Sequence, residues 1–434
     1  MSTISVIGTG YLGATHAAAM AELGANVIGI DTNADKVAAL NAGTVPFYEP
    51  GLPALVSKNV EAGRLRFTTD FSAAAAADTH FICVGTPQQR GSDAADLSQV
   101  FGAFEALLPH ANPDSLIVGK STVPVGTCAR LAQLAADRGA TVPIAWNPEF
   151  LREGFAVEDT LRPDRIVVGV QRQEDADRLA AVYATQLANG TPFLVTDFAT
   201  AELVKVAANS FLATKISYIN AMADICDEVG ADVTALAEAI GYDERIGSKF
   251  LKAGIGFGGG CLPKDIRAFM ARADELGAGR SLAFLREIDE INMRRRRDVA
   301  RTAADLLEGS VLGARIAVLG VAFKPDSDDI RDSPALNIAA NLHLQGAEVR
   351  VYDPQAMANA AAAFPTLQYV ESLDSALADA DLLLLLTEWQ EFCDLDPVAT
   401  AGKVRKQLLL DGRNVLDREA WRKAGWTYRG IGVP

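Results

Sequence analysis

Short apolar runs alternate along the chain with stretches in which small and apolar residues recur at helical spacing. Ile4–Ile7 reads as a strand, the alanine-rich segment through Ala14, Ala17, Ala18 and Ala19 as a helix, and Asn26–Ile30 as a second strand closed by Asp31. Phe81–Val84 reads as another apolar strand, with Cys83 inside it. The pattern at the start returns near the end. Gly24-Ala25 leads into a strand closed by Asp31, and Gly346-Ala347 leads at the same spacing into a strand closed by Asp353. Each is preceded by an apolar strand ending in glycine, Ile4–Gly8 and Ile316–Gly320. Two doubly wound α/β domains follow from this symmetry, one at each end. Between them, Thr200–Val229 contains no proline and few glycines. A helix of that length runs ~45 Å, enough to join two lobes and to offer a face for dimerisation. The expected architecture is α/β: a Rossmann domain over residues 1–196, a central helical dimerisation segment over 197–300, and a Rossmann-like domain over 301–434.

Composition narrows the function. The chain has 434 residues, nearly half of them apolar (49%), which suffices for substantial cores. Its formal net charge of −15 argues against nucleic acid or an anionic membrane as partner. One basic run, Arg294–Arg297, reads as a solvated helix end or a subunit contact. The chain opens directly on a core strand rather than on anything like a signal peptide, and the leucine run Leu382–Leu386 is far too short to span a bilayer. Five scattered cysteines without a CxxC pair or metal spacing point to reduced thiols, a cytoplasmic setting and no metal site.

Two glycine-rich segments carry candidate chemistry. Gly8-Thr9-Gly10-Tyr11-Leu12-Gly13 follows a strand and opens a helix, with an acid ending the next strand. In that setting the glycines allow a tight turn and close approach to a pyrophosphate at the helix N-terminus. Asp31 would accept from the adenosine ribose hydroxyls and repel a 2′-phosphate, so NAD is expected over NADP. The second segment, Gly256–Gly260, ends in Cys261, with Lys264 and Asp265 within one turn. Glycine lets this backbone fold tightly and present a thiol, and a nearby cation favours the thiolate. A surface turn with an incidental cysteine would look the same in isolation. On the long helix, Glu202, Lys205 and Asn209 fall in one stripe, which a solvated face would also explain. The loop after Gly320 lacks the dinucleotide fingerprint and instead carries Lys324 and Arg331, suited to phosphate groups; a purely structural half-domain is the alternative.

Together these segments resemble the UDP-glucose/GDP-mannose dehydrogenase family. The likeness rests on GTGYLG, Val84-Gly-Thr86-Pro87, Ser121–Thr127, Asn147–Gly154, Lys205 with Asn209, GFGGGCLPKD and Phe323-Lys-Pro-Asp, in order over nearly the whole chain. Pro163–Gly169 and Arg245–Gly254 are similar to the branch acting on UDP-glucose. Gly260 stands where serine is common, and Ser327 where threonine is common. The resemblance implies NAD-dependent, four-electron oxidation of a sugar C6 alcohol to a carboxylate, through a thiohemiacetal and a thioester on Cys261. Lys205 and Asn209 would stabilise the oxyanion, Asp265 would position water, and Glu149 and Thr122 would assist proton transfer. Cofactor contacts are implied for the fingerprint residues, Lys36, Val84, Thr86, Pro87, Thr122, Glu153, Lys264 and Arg331. For the nucleotide sugar they are implied for Glu149, Phe150, Leu151, Arg152, Phe250, Leu251, Lys252, Gly254, Gly258, Lys324 and Arg413. Arg245 would come from the neighbouring subunit of a homodimer, and polysaccharide precursor synthesis is the family's usual setting. GDP-mannose or a UDP-N-acetylhexosamine as substrate, or a non-catalytic sensor of NAD and nucleotide sugar, remain as alternatives.

Overall fold

The structure is a computed structural model describing residues 2–434. Parallel strands form two sheets. In the first, β1 (Thr3–Ile7), β2 (Asn26–Ile30), β3 (Leu65–Thr68), β4 (Thr79–Ile82), β5 (Leu116–Gly119) and β6 (Ile144–Trp146) lie in the order 3-2-1-4-5-6. This is the doubly wound dinucleotide order. The sheet is extended by β7 (Ile166–Gly169), antiparallel to β6, and by β8 (Phe193–Thr196). In the second sheet, β9 (Arg315–Leu319), β10 (Glu348–Tyr352), β11 (Gln368–Tyr369), β12 (Leu382–Leu385), β13 (Leu408–Asp411) and β14 (Thr427–Arg429) repeat the same order, all parallel. The symmetry expected from the two Gly-Ala…Asp segments is thus real. Asn26–Ile30 and Glu348–Tyr352 are both the second strand of their sheets.

These strands read as continuous apolar runs because helices cover both faces of each sheet. Ile4, Val6, Phe81, Leu116 and Val118 pack into one core cluster, while Ile7, Ile30, Ile82 and Ile117 point the other way into a second. In the C-terminal sheet, the whole run Leu382–Leu386 is buried.

The chain divides into two compact units. One holds residues up to Ala208 together with Arg267–Gly279; the other holds Asn209–Ile266 and Arg280–Pro434. The proline-free segment forms one helix, Phe198–Val229, and the division falls within it. Among the described residues no helix is long and apolar enough to cross a membrane.

The basic run departs from expectation. Arg294–Arg297 lies in the middle of the helix Ala283–Leu306, and Arg295 and Arg296 are buried rather than solvated. Each has a carboxylate: Arg295 pairs with Asp224 at 2.6 Å and Arg296 with Asp332 at 2.7 Å. A buried guanidinium is tolerated only with such partners.

Candidate active site

In the first unit, β1 ends at Gly8, whose φ of +85° suits glycine, and the helix Tyr11–Glu22 begins at once. Gly13 lets that helix press against the strand, since a Cβ there would stand 1.8 Å from the Gly8 carbonyl oxygen. A Cβ on Gly10, by contrast, would meet nothing within 4 Å. No side chain caps this helix and no acid lies in its first turn. Open space, uncapped amides and a positive helix end together make an anion site.

Asp31, at the end of β2, accepts on Oδ2 from Thr9 N (2.8 Å), Thr9 Oγ1 (3.0 Å) and Lys36 Nζ (2.9 Å), and on Oδ1 from Asn33 N (3.0 Å). Burial alone would raise its pKa, but the hydrogen bonds from Asn33, Lys36 and Thr9 outweigh it and hold the carboxyl below its ordinary value. It stays ionised, and Oδ1 retains lone-pair capacity for a ribose hydroxyl. The residues fit NAD.

The loops after β4 and β5 are tied together. Thr86 Oγ1 donates to the Thr122 carbonyl (2.8 Å) and Ser121 Oγ to the Val84 carbonyl (2.7 Å). Val84 and Thr122 are half-buried, Thr86 is buried and Pro87 is exposed. After β6 comes the loop Asn147–Gly154. Glu149 Oε1 pairs with Lys205 Nζ at 2.9 Å, and its Oε2 accepts from Leu151 N at 2.6 Å. The turn-capping role and the partnership with a buried lysine therefore coexist. The Phe150 ring lies under the Arg165 guanidinium, 3.9 Å away. Exposed Arg152 is held by Asp159 (2.6 Å), and half-buried Glu153 precedes Gly154.

Residues that sequence reasoning left without a role support this unit. Buried Glu49 accepts from Gly154 N and Ala156 N, both at 2.7 Å, and from the Tyr11 hydroxyl. It thereby links the fingerprint helix to the end of the Asn147–Gly154 loop. Glu202 is no solvated stripe residue: its carboxylate accepts from Gly126 N (2.7 Å) and Cys128 N (2.6 Å). Lys120 is buried and donates to Asn147 Oδ1 at 2.9 Å; the Tyr183 hydroxyl donates to the same oxygen at 2.6 Å. Burial pushes the Lys120 ammonium down to about 8. Asn147 Nδ2 in turn donates to the Val167 carbonyl. A glutamate beside a proline turn (Glu49-Pro50-Gly51) and a lysine ending an apolar strand were the available signals.

In the second unit, Cys261 immediately precedes the helix Leu262–Glu275, and its carbonyl accepts from Asp265 N at 2.9 Å. The helix dipole favours negative charge at that end. Cys261 is half-exposed, whereas Cys83, Cys128 and Cys226 are buried, and burial pushes the Cys83 thiol up to about 12. Asp265 is buried. Its Oδ1 pairs with Lys264 Nζ (2.7 Å) and its Oδ2 accepts from Asn209 Nδ2 (2.7 Å). That bond gives the mid-helix asparagine its specific partner.

The glycines before Cys261 make room for protein neighbours. A Cβ on Gly256 would stand 2.4 Å from Asn292 Oδ1, on Gly258 2.3 Å from the Asp332 carbonyl oxygen, and on Gly260 2.2 Å from the Arg331 guanidinium carbon. Arg413 joins the same neighbourhood, donating to the carbonyls of Leu386 (2.8 Å), Phe323 (3.3 Å) and Gly256 (3.4 Å). Gly254 N donates to Asn220 Oδ1. Lys324 and Arg331 lie on the loop after β9, half-buried and exposed respectively. Leu251 packs into the core, Lys252 is exposed, and Phe250 is exposed at a φ of +64°. Arg245 is exposed and paired with Asp243.

The chain matches three successive domains of one family, UDP-glucose/GDP-mannose dehydrogenase. Residues 2–187 match its NAD binding domain, 199–294 its central domain and 317–418 its UDP binding domain. The chain belongs to this family. It is 41% identical over 436 residues to a UDP-glucose 6-dehydrogenase of Rhizobium meliloti (strain 1021), covering 99% of both chains. It is 41% identical to a UDP-glucose 6-dehydrogenase of Bacillus subtilis (strain 168), covering 100% of this chain and 94% of that one. Among solved structures, a UDP-glucose dehydrogenase from Pyrobaculum islandicum is 38% identical with a TM-score of 0.91, covering 100% of this chain and 98% of that one. As a member of the family, the chain carries its NAD-binding and UDP-binding domains at opposite ends. The fingerprint and Asp31 lie in the first, and Lys324, Arg331 and Arg413 in the second.

Proposed function

We propose that the protein is an NAD-dependent UDP-glucose 6-dehydrogenase that carries the C6 alcohol through the aldehyde to UDP-glucuronate. The observation that carries this reading is the half-exposed Cys261 at a helix N-terminus, with Asp265 held between Lys264 and Asn209. Full-length likeness to UDP-glucose 6-dehydrogenases supports the choice of substrate. NAD, when bound, supplies the hydride acceptor, once for each of two oxidations.

The chain's own residues do the rest. Gly8, Gly10, Tyr11, Leu12 and Gly13 receive the pyrophosphate on helix amides, and Asp31 with Lys36 reads the ribose; Val84, Thr86, Pro87, Glu153, Lys264 and Arg331 complete the cofactor contacts. Lys205, paired with Glu149, and Asn209 stabilise the alkoxide formed as the alcohol loses its proton. The alkoxide loses one C6 hydride to become the aldehyde, and the Cys261 thiolate then adds to the aldehyde carbon, giving a thiohemiacetal that still holds a second hydride to lose. Loss of that hydride leaves a thioester. Water, positioned by Asp265 with Thr122 and Glu149 moving protons, breaks the C–S bond, releasing the carboxylate and restoring the thiol. Phe250, Lys252, Gly254, Lys324 and Arg413 hold the nucleotide sugar.

A homodimer fits the exposed apolar stripe Phe211, Tyr218, Ile225 and Val229 on the helix Phe198–Val229, with side chains about half or more exposed. Arg245 would then serve a neighbouring diphosphate. The decisive measurement is NADH formed per UDP-glucose consumed, with GDP-mannose and UDP-N-acetylhexosamines run in parallel. Two NADH per UDP-glucose is expected. A ratio of one, or preference for another nucleotide sugar, refutes the assignment, and a Cys261→Ser variant that binds both ligands yet turns over normally refutes the thiol's role.

A further inference from the structure

The helix Ala283–Leu306 places Asn292 and Arg296 one turn apart, both buried, against the glycine segment that ends in Cys261. Asn292 makes a reciprocal pair with one residue of that segment. Its Oδ1 accepts from Phe257 N at 2.8 Å and its Nδ2 donates to the Phe257 carbonyl at 3.0 Å. Arg296 adds Nη2 to the same carbonyl at 3.1 Å, and its Nη1 reaches Asp332 Oδ1 at 2.7 Å. The far side of the segment is closed by the loop after β9, where Gly259 N donates to the Arg331 carbonyl at 2.8 Å. The segment is thus gripped from both sides just before the thiol.

Glycine at 256 is a consequence of this grip, because any side chain there would collide with the Asn292 amide. Asp332 sits at a φ of +46°, a left-handed conformation that aspartate tolerates better than most residues and that hydrogen-bonding partners help to hold. Arg296 supplies that hold through both the Asp332 side chain and its carbonyl oxygen (3.2 Å).

We propose that Asn292 and Arg296 are positioning residues for Cys261, fixing Phe257 so that the thiol is presented at one place and tied to the loop bearing Lys324 and Arg331. They touch no reacting atom; they act through the backbone four residues before the sulfur. This rests on Cys261 being the nucleophile. Two buried side chains converge on the backbone of one residue of a glycine segment, and the basic run gains a role that net charge alone did not suggest.

Two conservative variants test it. Asn292→Asp keeps the size and the acceptor for Phe257 N–H but sets an oxygen against the Phe257 carbonyl. Arg296→Lys keeps a charge for Asp332 and removes the planar fork. A misplacement of about 1 Å can cost on the order of a hundredfold in rate, so a loosened segment is expected to lower kcat about tenfold. The rate of Cys261 alkylation by iodoacetamide, read by peptide mapping because Cys393 is also half-exposed, should fall by a similar factor. The Kd for NAD, measured by fluorescence titration, should change much less than kcat, within about threefold, since the fingerprint and Asp31 lie in the other unit and only Lys264 and Arg331 of the proposed cofactor contacts adjoin the loosened segment. Folded variants with a lower Tm but wild-type kcat and alkylation rate overturn the proposal. So does failure of both variants to fold, which assigns the pair to the scaffold; if one folds, it decides. Cys261→Ala is the control for the underlying reading. Undiminished turnover there sinks the nucleophile, while the alkylation rates in the other two variants still decide on the positioning.

Discussion

Replacing Glu202 with alanine tests how the loop carrying Thr122 is held. The helix Thr127–Asp137 starts after Gly126, which has no side chain with which to cap it. Glu202 supplies the missing acceptors from 74 and 76 residues away in sequence, taking Cys128 N and Gly126 N at 2.6 and 2.7 Å. Alanine leaves the buried Cys128 amide and the part-buried Gly126 amide without this acceptor, at about 1–3 kcal/mol each, the lower end applying to Gly126. Relief from burying a carboxylate offsets part of this, so the net loss is about 2–4 kcal/mol. For a unit of this size that is a Tm decrease of roughly 5–15 °C, measured by calorimetry. Glu202→Gln keeps one acceptor but turns an NH2 toward the second amide, and should lose about half as much. The pH dependence has a definite sign. Burial, tempered by the backbone donors, raises the Glu202 carboxyl above its ordinary value of 4.5. Between 4.5 and that raised value the folded chain binds more protons than the unfolded one, so this group's contribution to stability falls as pH rises. The margin of wild type over Glu202→Gln should therefore narrow from pH 4.5 upward. A Glu202→Ala protein melting within about 1 °C of wild type, or a margin that widens with pH, refutes the reasoning.

Gly10→Ala should leave Tm unchanged and weaken NAD binding at least tenfold in a fluorescence titration, because its Cβ enters open space; Gly13→Ala meets the Gly8 carbonyl and should lose both, with a stability cost of about 1–3 kcal/mol or more. Burial holds the Lys120 ammonium at about 8 against an ordinary 10.5. The unfolded chain thus binds more protons between those values, and wild-type stability should gain up to ~3 kcal/mol relative to Lys120→Met as pH rises through that window, measured by denaturant titration. Arg245→Ala should raise the apparent KM for UDP-glucose about tenfold without moving Tm, since the side chain is exposed; an unchanged KM removes it from the diphosphate site.

The two Rossmann sheets were legible because their strands are short apolar runs with a fixed Gly-Ala…Asp punctuation, and periodicity is a local property. What the punctuating aspartates do is not local. Asp31 keeps lone-pair capacity on Oδ1 and carries Lys36 beside it. Asp353, at the equivalent place, is filled by four backbone amides, from Val321, Ala322, Gln355 and Ala356, and by the Trp389 indole. The same letter keeps an acceptor open in one sheet and holds loops together in the other. The difference lies in the loop after β9, where both Val321 N and Ala322 N turn onto the aspartate, whereas in the fingerprint only Thr9 N does. The arginine run shows the same limit from another direction. Four consecutive charges carry no amphipathic signal, and the acids that permit burial, Asp224 and Asp332, lie 71 and 36 positions away. Candidate chemical residues announce themselves through type and spacing, as Cys261 and the fingerprint did. Residues that hold them in place do so through long-range hydrogen bonds to backbone, as Glu49, Glu202 and Asn292 do, and these bonds become visible only once the chain has brought both ends together.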